Sequence, residues 1–213
     1  MTATKAADAI KVMHRLERVY PHARIALNFS NPLELLVATI LSAQSTDIGV
    51  NKATPALFAR YKTAADYAGA DVSELESLIK STGFYHNKAK SIIGAAKVLV
   101  KDFGGKVPKT MAEIITLPGV ARKTGNVVLY NAYGVTEGIA VDTHVIRLSN
   151  RLWLSLEKTP EKIEKDLMKQ VPKEKWGSFA YLLIDHGRAI CIARKPKCAI
   201  CVLNDICPSA FKV

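Results

Sequence analysis

The chain has 213 residues, of which 49% are apolar, enough for one large domain or two modest ones with a real core. Its most apolar stretch, Leu35 to Leu41, is far too short to cross a bilayer, which excludes a membrane-spanning helix. With 30 Lys and Arg against 19 Asp and Glu the net charge is +11, a balance that suits a polyanionic partner such as nucleic acid, with ordinary solubility charge as the alternative.

The first residues, Met1-Thr-Ala-Thr-Lys-Ala-Ala-Asp8, lack the apolar core of a signal peptide, so a reducing compartment is expected. Ala9, Val12, Met13, Leu16, Val19 and Tyr20 recur at helical spacing in a stripe ended by Pro21. Asn31 before Pro32 reads as an N-cap with proline at the first helical position. The helix it opens is almost wholly apolar through Leu41, and apolarity all round means burial. Further helices are expected over 71–80 and 87–103, the second closed by Gly104-Gly105. Thr110 and Glu113 have the spacing of a capping box that starts another. Thr159-Pro160-Glu161 opens a helix that turns Ile163, Leu167 and Val171 inward and leaves its Lys and Glu as a solvated face. No strand-like alternation of any length occurs, nor any repeat or low-complexity tract. The expected fold is all-α.

Within that frame, Leu117-Pro118-Gly119-Val120-Ala121-Arg122-Lys123-Thr124 stands between the helix from Thr110 and the apolar run Asn126 to Tyr130. Proline and glycine break one helix and the chain restarts another within a few residues, a helix–hairpin–helix. Backbone N–H groups at the start of the second helix would hold a phosphate without reading sequence. An ordinary tight turn between packed helices is the plainer reading. Lys123 falls in the first turn of that helix, where the positive end of the dipole favours loss of its proton. A neutral amine is a nucleophile able to form a Schiff base with a carbonyl-like sugar carbon. A phosphate-binding lysine that stays charged is the competing role. Val141-Asp142-Thr143-His144 supplies an acidic partner: Asp142 begins a helix running through Ile146 and Leu152, and a cap there would fix its carboxylate in place.

All four cysteines lie near the C-terminus as Cys191-x6-Cys198-x2-Cys201-x5-Cys207. The loops between them are short and close at little entropic cost, so four thiols converge readily on one inorganic centre. Disulfides would need an oxidising compartment. Structural zinc usually takes two close pairs, and only Cys198–Cys201 is such a pair. An iron–sulfur cube tolerates uneven spacing because each iron needs one thiolate. Spacing leaves both metals open. A ferredoxin-like electron carrier would more comfortably be acidic, and the positive charge argues against it.

Leu41-Ser-Ala-Gln44-Ser-Thr-Asp47, the hairpin with Lys123, Val141-Asp142-Thr143-His144 and the cysteine tail follow one another in the order found in endonuclease III. Over nearly its whole length the chain resembles that family of DNA glycosylases with lyase activity, part of the helix–hairpin–helix superfamily. The resemblance implies a 4Fe–4S cluster on Cys191, Cys198, Cys201 and Cys207. It implies a six-helix barrel domain with the hairpin, residues 25–135, inserted into a helical iron–sulfur cluster domain made of residues 1–24 and 136–213. DNA would lie across the groove between them. The implied activity is that of a bifunctional DNA glycosylase and AP (apurinic or apyrimidinic site) lyase, a monomer acting in the cytoplasm at the nucleoid. Its substrate would be double-stranded DNA holding oxidised pyrimidines or abasic sites.

By the same resemblance Lys123 attacks the sugar and Asp142 assists it, while the backbone at Gly119, Ala121 and Arg122 holds DNA. Gln44 fills the gap left by the flipped nucleotide. Phe84 takes the place of a usual aliphatic wedge, with buried packing as its alternative role. His144 orients the site or packs beside the helix start. Arg194, Lys195 and Lys197 grip phosphates or form a solvated loop. Two departures fall in the hairpin: Ala121 replaces a usual glycine, and Gly125 a usual alanine at a cost of up to ~1 kcal/mol in a helix. An adenine-specific mismatch glycosylase would carry a carboxylate on the early apolar helix, and no acid lies between Leu35 and Gln44. An 8-oxoguanine glycosylase and a non-catalytic DNA-binding or redox module are the other rivals.

Overall fold

The computed structural model describes residues 6–213, and among these no strand occurs. Met1 to Lys5, the start of the segment read above for a signal peptide, lie outside the described residues. In chain order the helices are α1 (Ala9–Val19), α2 (Pro32–Leu41), α3 (Asp47–Arg60), α4 (Ala64–Ala68), α5 (Val72–Ile79) and α6 (Tyr85–Phe103). Then come α7 (Met111–Ile114), α8 (Arg122–Tyr133), α9 (Thr143–Arg151), α10 (Pro160–Met168) and α11 (Trp176–Ala189). No helix is long and apolar enough to cross a membrane among the described residues. The chain divides into two compact units, Ala26–Glu137 and a second made of Met1–Ile25 with Gly138–Val213.

The Ala26–Glu137 unit is built from six helices plus the single turn of α7. Asn31 caps α2 by accepting the Glu34 N–H at 2.9 Å, and Pro32 sits where its missing N–H costs nothing. Every residue from Leu35 to Leu41 is buried, against α8, α3 and α6. Burying a leucine is worth about 1.5–3 kcal/mol, so this helix is the centre of the unit. The helix α6 begins at Tyr85, two residues before the sequence suggests, because Phe84 bends the chain through left-handed backbone (φ 48°). It ends where expected: Gly104 is left-handed (φ 57°) and the Gly105 N–H reaches back to Leu99 O at 2.8 Å. The capping box at Thr110 is only half made. Thr110 accepts the Glu113 N–H at 3.3 Å, but its hydroxyl then donates to the Glu113 carboxylate, and α7 stops after one turn.

In the second unit Asp8 caps α1 by accepting the N–H groups of Ile10 and Lys11. Ala9, Val12, Met13 and Leu16 are buried as the stripe predicts, while Val19 at the last turn is 44% exposed. The helix α11 packs against α9 and α1 and buries Phe179 completely. In α10, Ile163 and Leu167 face inward, but Glu164 is buried with them rather than on a solvated face. A bidentate pair between Arg15 and Asp205, with Arg15 also donating to Val202 O at 2.9 Å, ties α1 to the cysteine tail.

Candidate nucleic-acid interface and cysteine centre

The hairpin turn is closed by the Val120 N–H on Leu117 O at 3.1 Å and pivots on Gly119. At φ 78° a side chain there is strained, and a Cβ would stand 2.6 Å from Ser91 Cβ. Only glycine fits. Ala121, by contrast, is extended (φ −94°, ψ 172°), so alanine serves where the family usually has glycine. No side chain caps α8, and its first turn offers backbone N–H groups of the kind that bind an anion. Lys123 is exposed in that turn, and Arg122 donates to Glu137 O at 3.2 Å. Gly125 has a packing reason: a Cβ would lie 2.8 Å from Met111 Sδ and 3.1 Å from Ile114 Cγ2, so glycine lets α8 approach α7.

Beside the hairpin, Gln44, Phe84 and Gly119 line one cavity of about 240 Å³ together with Lys88 and Ser91. Phe84 is 63% exposed, which rules out buried packing as its role. Both Gln44 (φ 53°) and Phe84 (φ 48°) have left-handed backbone, unusual for side chains of this size. Lys88 lies beneath them, nearly fully buried, and burial pushes its pKa down.

In the second unit, Asp142 caps α9 through one oxygen. Its Oδ1 accepts the N–H groups of His144 at 2.8 Å and Val145 at 2.9 Å. Oδ2 carries no hydrogen bond among the described residues, so one carboxylate holds the helix start and still has an oxygen to offer. His144 is half-buried. Arg147 Nη2 donates to its Nδ1 at 3.0 Å, and Gly187 packs so closely that a Cβ would stand 3.0 Å from the same nitrogen. Burial holds the His144 pKa below its ordinary value, with Asp142 opposing that shift.

All four cysteines are half-buried, form no disulfide and line one depression. Burial pushes up the thiols of Cys201 and Cys207. Among the described residues, no group of three or more Cys, His, Asp or Glu is gathered tightly enough for a single metal ion. A lone zinc would draw four sulfurs to about 2.3 Å from one point. In a cluster each thiolate takes a different iron, and the sulfurs stand apart around a shared centre. Four thiols around one depression fit the cluster. Donors already surround them: Arg151 Nη1 lies 3.3 Å from Cys191 Sγ, the Leu203 N–H 3.4 Å from Cys201 Sγ, and His186 Nε2 3.3 Å from the same sulfur. Arg147 and Arg151 also bind the carbonyls of Cys191, Ile192 and Ala193, fixing the loop's entry. Arg194, Lys195 and Lys197 are exposed on that loop.

Among the residues singled out by sequence, Gln44, Phe84 and Gly119 share one cavity and the four cysteines another. Lys123 belongs to one unit and Asp142 to the other. Lys88, Arg147, Arg151 and His186 fall in none of the motifs that the sequence marks. Lys88 falls on the buried stripe of α6 with Ala89, Ile92, Ala95, Ala96 and Leu99.

The model of the HhH-GPD superfamily of base excision DNA repair proteins matches residues 37–173, and that of the iron–sulfur binding domain of endonuclease III matches residues 191–207. Endonuclease III of Synechocystis sp. is 53% identical over 208 residues, covering 98% of this chain and 95% of that protein. Endonuclease III of Bacillus subtilis is 46% identical over 201 residues, covering 94% and 91%. A structure of a trapped endonuclease III–DNA covalent intermediate, an estranged-adenine complex, superposes with a TM-score of 0.88 at 42% identity, over 93% of this chain and 95% of that one.

Proposed function

The chain belongs to the endonuclease III family, within the HhH-GPD superfamily of base excision DNA repair proteins, and from that premise we propose that it is a bifunctional DNA glycosylase and AP lyase for oxidised pyrimidines in duplex DNA. The observation that carries the reading is Lys123, solvent-exposed in the first turn of a hairpin helix that no side chain caps. A similar protein, an endonuclease III, has been trapped as a covalent intermediate with DNA, which supports a covalent mechanism. The two units serve as barrel and cluster domains. The protein acts as a monomer in the cytoplasm, at the nucleoid.

An oxidised pyrimidine stacks weakly and leaves the duplex at lower cost than a normal base. Backbone phosphates seat on the hairpin at Gly119, Ala121 and Arg122, and Gln44 and Phe84 enter the gap. The Lys123 nitrogen adds through its lone pair to C1′ of the sugar while the glycosidic bond breaks and its electron pair leaves with the base, which takes up a proton. Asp142 accepts the proton shed by the amine, or offsets positive charge growing at C1′, through its second oxygen. Ring opening leaves a C1′–Lys123 Schiff base. The imine acidifies the C2′ proton; its removal forms a C2′–C3′ double bond and expels the 3′ phosphate, and water then frees the lysine. When bound, a 4Fe–4S cluster supplies a rigid link among Cys191, Cys198, Cys201 and Cys207 that holds Arg194, Lys195 and Lys197 towards phosphates.

Borohydride reduction during turnover on an abasic duplex tests the central step. The wild-type protein is expected to become covalently joined to DNA, and Lys123→Gln to lose the adduct while duplex affinity changes by less than about threefold. Trapping by the Lys123→Gln protein would overturn the assignment of the nucleophile.

A further inference from the structure

Lys88 is a lysine on the inward face of a helix, 5% exposed. A buried ammonium is tolerated only where every N–H finds an acceptor. Here the three N–H groups meet three acceptors: Leu41 O at 2.7 Å, Ser45 Oγ at 2.8 Å and Thr82 O at 2.7 Å. Those acceptors sit at telling places. Leu41 and Ser45 bracket the turn that carries Gln44, and Thr82 stands two residues before Phe84. The Ser45 hydroxyl also donates to Thr82 O, so the two segments are joined directly as well as through the lysine. Gln44 and Phe84 both hold left-handed backbone, a conformation that persists only where the surroundings enforce it.

We propose that Lys88 is a positioning residue that pins the Gln44 turn and the Phe84 turn to one nitrogen, so that the two side chains enter a duplex as a rigid pair. This rests on the reading that Gln44 and Phe84 occupy the gap left by the everted nucleotide. The pin needs a charged, three-donor head at that depth. A methionine keeps the apolar stem but takes the lysine's donor from Leu41 O and leaves Thr82 O with the Ser45 hydroxyl alone.

The test compares abasic sites in a duplex and in a single strand, using the full-length protein. A single strand has no opposite strand to hold open, so the pair has nothing to do there. Lys88→Met is expected to lower kcat/KM on the duplex by about tenfold or more while cleavage of the single strand changes by less than about twofold. A 2-aminopurine placed opposite the abasic site reports the same event: its fluorescence changes when wild-type protein binds, and that change is expected to shrink with Lys88→Met. Equal losses on both substrates, or no loss on the duplex, would overturn the proposal. Should Lys88→Met fail to fold, Ser45→Ala decides by the same ratio, since it removes the tie between the segments and one acceptor of the lysine. If wild-type protein nicks neither substrate, the functional reading itself fails and takes this inference with it.

Discussion

At Gly119 two independent constraints meet: left-handed backbone and a Ser91 Cβ that would stand 2.6 Å from any added Cβ. Ser91 Cβ is not the loose end of a long side chain, so it yields only if α6 moves. Gly119→Ala should therefore cost more than the 1–2 kcal/mol that left-handed backbone alone costs a residue with a Cβ, read as a fall in Tm and in the denaturant midpoint. Gly125→Ala makes the opposite case. Helix propensity gains about 1 kcal/mol, the crowding atom Met111 Sδ is part of a flexible side chain, and Ile114 must shift only slightly. That variant should be close to neutral. An unchanged Tm for Gly119→Ala would mean that the hairpin does not sit on α6 as described. Gly119 is legible in the sequence, because Pro-Gly between helical runs signals a turn. The reason for Gly125 is not, because the atoms that require it belong to another helix. Lys88 is legible only in part: its place on the apolar stripe of α6 marks it, but two of its three acceptors, Leu41 O and Ser45 Oγ, come from residues more than forty positions away.

At the scale of a helix, the cap of α9 separates two roles that the sequence gives one residue. Asparagine caps about as well as aspartate, since the N–H groups of His144 and Val145 need only a side-chain oxygen. Asp142→Asn should keep Tm within roughly a degree yet slow base release, because the charge is gone. Asp142→Ala should lose both, the cap costing about 1 kcal/mol, or roughly 2–4 °C for a chain of this size. If Asn and Ala variants release base at the wild-type rate, Asp142 is a cap and nothing more. Caps of this kind are local, which is why α2 and α9 are legible from Asn31 and Asp142. Helices without a clear stripe escape periodicity. The α3 helix carries Pro55 in its interior, α4 is five residues long, and α11 buries residues on nearly every side.

For the molecule as a whole, the question left by composition is whether a net charge of +11 serves DNA or only solubility. Arg194, Lys195 and Lys197 decide it cleanly. They are exposed, none makes a side-chain hydrogen bond or ion pair among the described residues, and the loop bearing them is held from below by Arg151 and Arg147. Replacing all three with alanine should therefore leave Tm and the cysteine centre as they are. If they meet phosphates, each lost contact withholds a counterion, and the slope of log affinity against log salt should flatten by about 0.9 per contact, some 2–3 in all. Affinity at low salt would fall steeply while affinity at high salt would fall little, a pattern that loss of folding cannot imitate. A slope unchanged within error would assign these charges to solubility and shift the phosphate contacts onto the hairpin, where backbone N–H groups add affinity without adding charge.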